Sequence, residues 1–174
     1  MNMFSGYYSP EELNKFNFKK CGKNNLVSKL CVIYHPENII LGNNNKIDDF
    51  VMLSPPTNGL IELKDNITIA DYCKIGNGKY GNIIIGNNSA LAPRVTILNS
   101  SDNYNTVKGV GASPSLFSDI KIGDNVIIGT NSTILFNSII GDNARIGAHS
   151  LVKTKLKGNN LYAGIPVKII RKLS

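Results

Sequence analysis

Between residues 122 and 152 an aliphatic side chain returns at every sixth position: Ile122, Ile128, Ile134, Ile140, Ile146 and Val152. An amphipathic helix repeats its apolar face every three or four residues and a half-buried strand every two, so a strict period of six belongs to neither and marks a repeat architecture. The flanking positions repeat too. Gly123, Gly129, Gly141 and Gly147 follow the aliphatic directly, and Val126, Ser132, Ser138, Ala144 and Ser150, all small, stand four residues after it. Such a chain winds into a β-helix. Each unit of six makes one short strand and one corner, the aliphatic points into the shaft, and small residues fit where a corner leaves no room for a large side chain.

Upstream, the inward positions group in threes: Cys21, Val27 and Ile33; Leu41, Ile47 and Leu53; Leu63, Ile69 and Ile75; Ile85, Leu91 and Ile97. With two further sets from the 122 to 152 run, this makes six coils. The spacing departs from six only between sets, from 33 to 41, 53 to 63 and 75 to 85, and by 25 residues from 97 to 122. All the insertions therefore leave from one corner, whereas a chance periodicity would scatter them. Asn43-Asn44, Asn87-Asn88, Asn125 and Asn143 fall in the turns, where Asn tolerates the left-handed backbone angles of tight corners. Near the start, Ser9-Pro10-Glu11-Glu12 predicts a helix with Ser9 as N-cap, Pro10 in the first turn and Glu12 completing a capping box. That helix is expected to end before Gly22, with Leu13, Phe16 and Phe18 plugging the open end of the shaft.

In its hexad run the chain resembles the hexapeptide-repeat acyltransferases, whose fold is a left-handed parallel β-helix with three units per turn. The resemblance covers nearly all of the chain. Tyr34-His35-Pro36-Glu37-Asn38 and Ile47-Asp48-Asp49-Phe50 resemble a subgroup of sugar acetyltransferases. Leu91-Ala92-Pro93-Arg94-Val95-Thr96-Ile97 is similar to the family's Ile-Ala-Pro-x-Val-Thr-Leu pattern, and Tyr162 to Arg171 resembles its Ala-Gly-Val-Pro-Ala-Lys/Arg ending. The fold class implied is all-β: a left-handed parallel β-helix of about six coils with a short N-terminal helix cap, one long loop excursion and a short C-terminal helix. The organisation implied is a cap over 1–20, the β-helix over 21–157 with its excursion at 98–119, and a tail over 158–174 that closes the coenzyme site.

At 174 residues, 42% of them apolar, the chain is expected to be one domain with an ample core. No apolar run approaches the roughly 18 residues of a spanning helix, and Met1 to Ser28 lacks the apolar core of a secretory signal, so the reading is a cytoplasmic protein without membrane insertion. Of the three cysteines, Cys21 and Cys73 stand on repeat positions and read as small buried apolar residues of a reducing compartment, not as metal ligands. The net charge of +7 suits an anionic ligand such as a nucleotide or coenzyme A, or reflects a lysine-rich composition. Nucleic acid fits less well, because the charges are scattered and no aromatic platform interleaves them.

The excursion from Leu98 to Asp119 exceeds the length of an idle loop in a compact domain. In the family this loop reaches the neighbouring subunit and carries the general base. Counting forward from the Leu91 to Ile97 match puts Asp102 where sugar O-acetyltransferases have their catalytic histidine, with Asn103 beside it as a further catalytic candidate and Tyr104 next. A sugar hydroxyl is a very weak acid and wants a base near neutrality; aspartate, with an ordinary pKa of about 3.9, is a poor match. An amine with a pKa of roughly 8 is already partly neutral at pH 7, and a carboxylate suffices to orient it and to receive its proton. Asp102 therefore fits an amino acceptor, although a plain Asx turn in the loop would also place an aspartate there. His149, outward in the last coil, is a second candidate base, brought to the loop by a facing subunit, or else a surface residue of the coenzyme groove. His35 reads as a turn residue.

The resemblance places Thr130 and Ala148 along the pantetheine arm of acetyl-CoA, with Lys153 and Thr154 beside it in swapped order relative to the family. Lys168 and Arg171, three apart on a closing helix, would share one face and meet phosphates. Tyr72, Tyr80 and Tyr104 are the substrate candidates, stacking on a sugar or base or packing between subunits. The resulting expectation is a homotrimeric, metal-free acetyl-CoA-dependent N-acetyltransferase acting on a nucleotide-linked amino sugar in surface-polysaccharide synthesis. The rivals are sugar O-acetylation on the same architecture and a non-enzymatic β-helix scaffold. A hexapeptide carbonic anhydrase needs three histidine ligands to zinc, and the chain has only His35 and His149.

Overall fold

The hexads close into a left-handed parallel β-helix in the computed structural model, which describes residues 6–105, 107 and 114–173. The first face stacks Lys20–Cys21, Ile39–Leu41, Ile61–Leu63, Ile83–Ile85, Ile120–Ile122, Ile139–Ile140 and Lys155–Leu156. The second face stacks Leu26–Val27, Lys46–Ile47, Thr68–Ile69, Ala90–Leu91, Ile127–Ile128, Arg145–Ile146, Asn160–Ala163 and, antiparallel at its end, Lys168–Lys172. The third face stacks Val32–Ile33, Met52–Leu53, Lys74–Ile75, Thr96–Leu98, Thr133–Leu135 and Leu151–Val152.

Each strand pairs in register with its counterpart one coil away, so Ile61, Ile83 and Ile120 form one aliphatic column and Leu63, Ile85 and Ile122 another. Leu41, Ile47, Leu53, Ile69, Ile97 and Ile134 have no exposed surface. Each such side chain contributes about 1.5–3 kcal/mol by leaving water. Cys21 and Ile33, in a first coil covered from one side only, are half-buried. Burial raises the thiols of Cys31 and Cys73 to about 11.

At the first corner, between first and second faces, Asn24, Asn44, Asn66, Asn88, Asn125, Asn143 and Asn159 all take left-handed angles, with φ between +55° and +59°. Their amides form a ladder: Asn44 Nδ2 donates to Asn66 Oδ1 at 3.2 Å, Asn66 to Asn88 at 3.1 Å, and Asn143 to Asn159 at 3.0 Å. Glycine stands two residues before Asn24, Asn44, Asn88, Asn125 and Asn143, where the next coil's backbone lies close, and a Cβ on Gly86 would sit 2.5 Å from the carbonyl oxygen of Gly123; before Asn66 the place is taken by Lys64. The second corner makes the same left-handed turn with Phe50, Tyr72, Arg94, Asn131 and His149. The third corner carries every insertion.

Before the first coil, Pro10–Asn14 is a short helix whose Ser9 Oγ accepts from Glu12 N while Glu12 accepts from Ser9 N, completing the capping box. Leu13 is buried, and Phe16 meets Tyr8 edge-on at 4.9 Å and stacks on Phe18 at 5.6 Å between ring centroids. The helix ends well before Gly22.

Two expectations for the other end are corrected. The β-helix does not stop at residue 157: six full coils are followed by two sides of a seventh, with Leu156 and Tyr162 in the core. The hexad count misses them because Leu156 follows Val152 by four positions, not six, at the third corner. The closing segment is also no helix. Lys168–Lys172 is a strand paired antiparallel with Asn160–Ala163, because the last parallel strand presents unpaired backbone groups that a returning strand satisfies.

Candidate active site

The last three insertions at the third corner lean on one another. Asn58 N donates to the carbonyl of Lys79 at 2.8 Å, which seats the loop after Leu53 against the loop after Ile75. Asn99, fully buried, donates through Nδ2 to the carbonyl of Tyr80 at 2.8 Å and accepts through Oδ1 from Asn77 N at 3.4 Å. Its own carbonyl accepts from Ser118 N at 3.1 Å. Asn99 thus ties the Asn77 to Tyr80 loop to both ends of the long excursion. The excursion starts as a two-stranded stem, Ser100–Ser101 against Leu116–Phe117, and Ser100 Oγ donates to the carbonyl of Asn77. Of the Gly/Ser/Pro-rich segment, residues 109–113 lie outside the described residues.

Asp102 follows the stem and lines a cleft of about 450 Å³. Leu98, Phe117 and Leu135 form its apolar side; Asn77, Asp102 and Tyr104 bring polar atoms to it. One exposed carboxylate over an apolar floor can orient a cationic or neutral amine and accept a proton from it. Tyr104 is 86% exposed. Asn103 turns the chain: its Oδ1 accepts from Asn105 N at 3.0 Å, an Asx turn, and its side chain does not line the cleft.

The other expected residues divide between corners. Thr130 and Ala148 stack in consecutive coils at the second corner, where the Thr130 carbonyl accepts from His149 N at 2.8 Å. His149 is exposed there, with Nε2 3.3 Å from Asn131 Nδ2. One chain therefore does not bring His149 to Asp102, since a whole face separates their corners. Lys153 and Thr154 are exposed at the third corner, away from Thr130 and Ala148. Lys168 and Arg171 do share a face, but by a different device. Lys168 opposes Ala163 and Arg171 opposes Leu161, two residues that alternate to the same side, and a register shift in the pairing absorbs the odd residue. Tyr162 points inward, so that shared face is outward. Ala163 packs beside Gly147, which puts Thr130, Ala148 and Lys168 in order along the second corner.

The tyrosines also part company. Tyr72 stands at the second corner, stacked on Phe50 at 4.9 Å with the Arg94 guanidinium 5.7 Å above its ring. Tyr80 stands at the third corner, edge-on to Phe117 at 5.5 Å. Sequence reasoning missed Asn77, Asn99 and Phe117. Asn99 carried a readable signal, a polar residue directly after the last strand before the excursion; Phe117 and Asn77 carried none, because only the hairpin stem brings them to Asp102.

The bacterial transferase hexapeptide family model, of six repeats, matches residues 119–154. The chain is 34% identical over 175 aligned positions to an Escherichia coli dTDP-4-amino-4,6-dideoxy-D-glucose acyltransferase, covering 97% of this chain and 89% of the relative. It is 29% identical to an Escherichia coli K12 protein named for O-acetyl transfer in lipopolysaccharide biosynthesis, over 82% of this chain and 76% of that one. Among solved structures it is similar to AntD, an N-acyltransferase from Bacillus cereus in complex with dTDP and 3-hydroxybutyryl-CoA. The identity there is 30% and the TM-score 0.82, with 98% of this chain and 92% of that chain covered.

Proposed function

We propose that this chain, which belongs to the hexapeptide-repeat acyltransferases, moves an acyl group from coenzyme A to the amine of a nucleotide-linked amino sugar. The observation that carries the reading is Asp102 on the wall of the third-corner cleft, in a chain similar over nearly its whole length to an acyltransferase of a dTDP-linked amino sugar. The neutral amine attacks the thioester carbonyl, a C–N bond forms and the C–S bond breaks. The carboxylate of Asp102 orients the amine and takes its proton, which then passes to the departing thiolate. The second corner offers the coenzyme a strip of small residues, Gly129, Thr130, Gly147 and Ala148, leading to Lys168 and Arg171 for its phosphates. Since that strip and the cleft lie on different corners, the working unit is a trimer, with the second corner of one copy facing the third corner of the next and His149 lying along the shared groove. Tyr104 borders the acceptor side.

Coenzyme A release is the test, measured with acyl-CoA and a panel of nucleotide-linked amino sugars beside their hydroxyl counterparts. Turnover confined to the amines is expected, and turnover on the hydroxyls alone would replace this reading by O-acylation. Asp102→Asn is expected to lower turnover about 100-fold or more while coenzyme A binds as before; unchanged turnover would remove Asp102 from the mechanism. Light scattering is expected to give three copies.

A further inference from the structure

The Asp102 cleft continues onto a ledge that the acyl-transfer chemistry does not use. Phe117, a cleft wall, meets the ring of Tyr80 edge-on at 5.5 Å with an interplanar angle of 80°. The ammonium of Lys79 lies 5.5 Å from the centre of that same ring, and Tyr80 is 48% exposed. Among the described residues Lys79 is paired with no carboxylate. Asp119, at the end of the excursion, accepts from the N–H of Asn82 at 2.8 Å.

The ledge is also held in place. Gly76 and Gly81, at φ of +90° and +95°, bracket the loop, and an added Cβ would meet the carbonyl oxygen of Ser54 at 2.0 Å in one case and of Ser118 at 2.9 Å in the other. Buried Asn99 grips the Tyr80 carbonyl from beneath. A cation and an aromatic ring therefore stand side by side on a held loop, next to Phe117 on the wall of the cleft that Asp102 also lines. Exposed aromatic faces stack on planar bases, and a cation free of carboxylate partners suits a phosphate.

Resting on the acyl-transfer reading, we propose that this ledge binds the nucleoside diphosphate of the substrate, Lys79 holding the diphosphate and Tyr80 stacking on the base. The sugar then spans from Lys79 to Asp102, and acceptors without the nucleotide lose both contacts. Tyr72, on another corner, takes no part in the same copy.

Calorimetry with dTDP and with uridine diphosphate tests the ledge separately from catalysis. The intact protein is expected to bind at least one of them, Lys79→Met and Tyr80→Ser to weaken that binding about tenfold or more, and Tyr80→Phe to retain it. Lys64→Met, an exposed lysine at the first corner, and Asp102→Asn are expected to bind as the parent does. In turnover, Lys79→Met is expected to raise KM for the nucleotide-linked sugar with kcat retained. Equal nucleotide affinity in Lys79→Met and the parent, or no nucleotide binding by the parent, would overturn the ledge even if amines are acylated. Nucleotide binding lost with Lys79 in a protein that acylates no amine would keep the ledge and discard the acyl-transfer reading.

Discussion

At the first corner one left-handed position is held by asparagine in seven successive coils, Asn24 to Asn159; at the second corner the equivalent position holds Phe50, Tyr72, Arg94, Asn131 and His149. The backbone demand is the same. A left-handed angle costs an ordinary side chain roughly 1–2 kcal/mol per residue, and asparagine lowers that cost by bonding locally. The first corner adds an amide ladder between coils, so its residues are explained by the chain's own geometry. Phe50, Tyr72 and Arg94 accept the cost and remain exposed, with their rings and guanidinium stacked on one another. The first corner's side chains thus bond to one another from coil to coil and those of the second corner stand at the surface, while both share one backbone turn.

The sharpest way to break the comparison is at the first corner's glycines. Gly86→Ala drives a Cβ into the backbone of the next coil and is expected to cost about 1–3 kcal/mol, read as a lower urea midpoint at unchanged slope. Asn66→Ala removes two ladder bonds and the tolerance for φ of +59°, an expected loss of about 1–2 kcal/mol. Asn66→Gly is expected to lose less, because glycine accepts the angle; equal losses would mean that the angle is not what asparagine serves. At the second corner, Tyr72→Asn is expected to change the stability of the single chain by no more than about 1 kcal/mol, since the relaxed backbone offsets the lost stacking.

The smallest effect expected is at the cap. The N–H of Ser9 first, and Lys29 second, hold the carboxyl of Glu12 below the usual carboxylate range. A depressed folded-state pKa contributes stability that is complete above the ordinary glutamate value of about 4.3 and is lost as pH falls through the lower folded value. Thermal melts from pH 6 down to pH 3 should therefore show a slightly steeper loss in the parent than in Glu12→Gln. Identical curves would mean that the capping carboxylate does not contribute.

Much of the fold was legible because an inward position in a β-helix must be apolar whatever surrounds it. The hexads from Val27 to Val152, the common corner for the insertions and the Ser9 to Glu12 cap all follow from such local rules. Lys168 and Arg171 show where those rules end. Three-residue spacing suggests one face of a helix, and the two do share a face, but on a bulged strand recruited by the open edge of Asn160–Ala163. Lys153 and Thr154 illustrate the same limit: their place in the motif says nothing of a shortened corner that sets them on a different edge from Thr130.

By itself the sequence determined the repeat, its core and the point where the chain leaves the coil, because burial and turn geometry act residue by residue along the chain. Tertiary structure alone decided which side chains meet: Asn99 beneath Tyr80, Phe117 beside Asp102, Tyr72 and His149 on another corner altogether. Those neighbours come from loops of different coils, and their meeting depends on the stacking of one insertion on the next, a property of the closed helix and of no single segment.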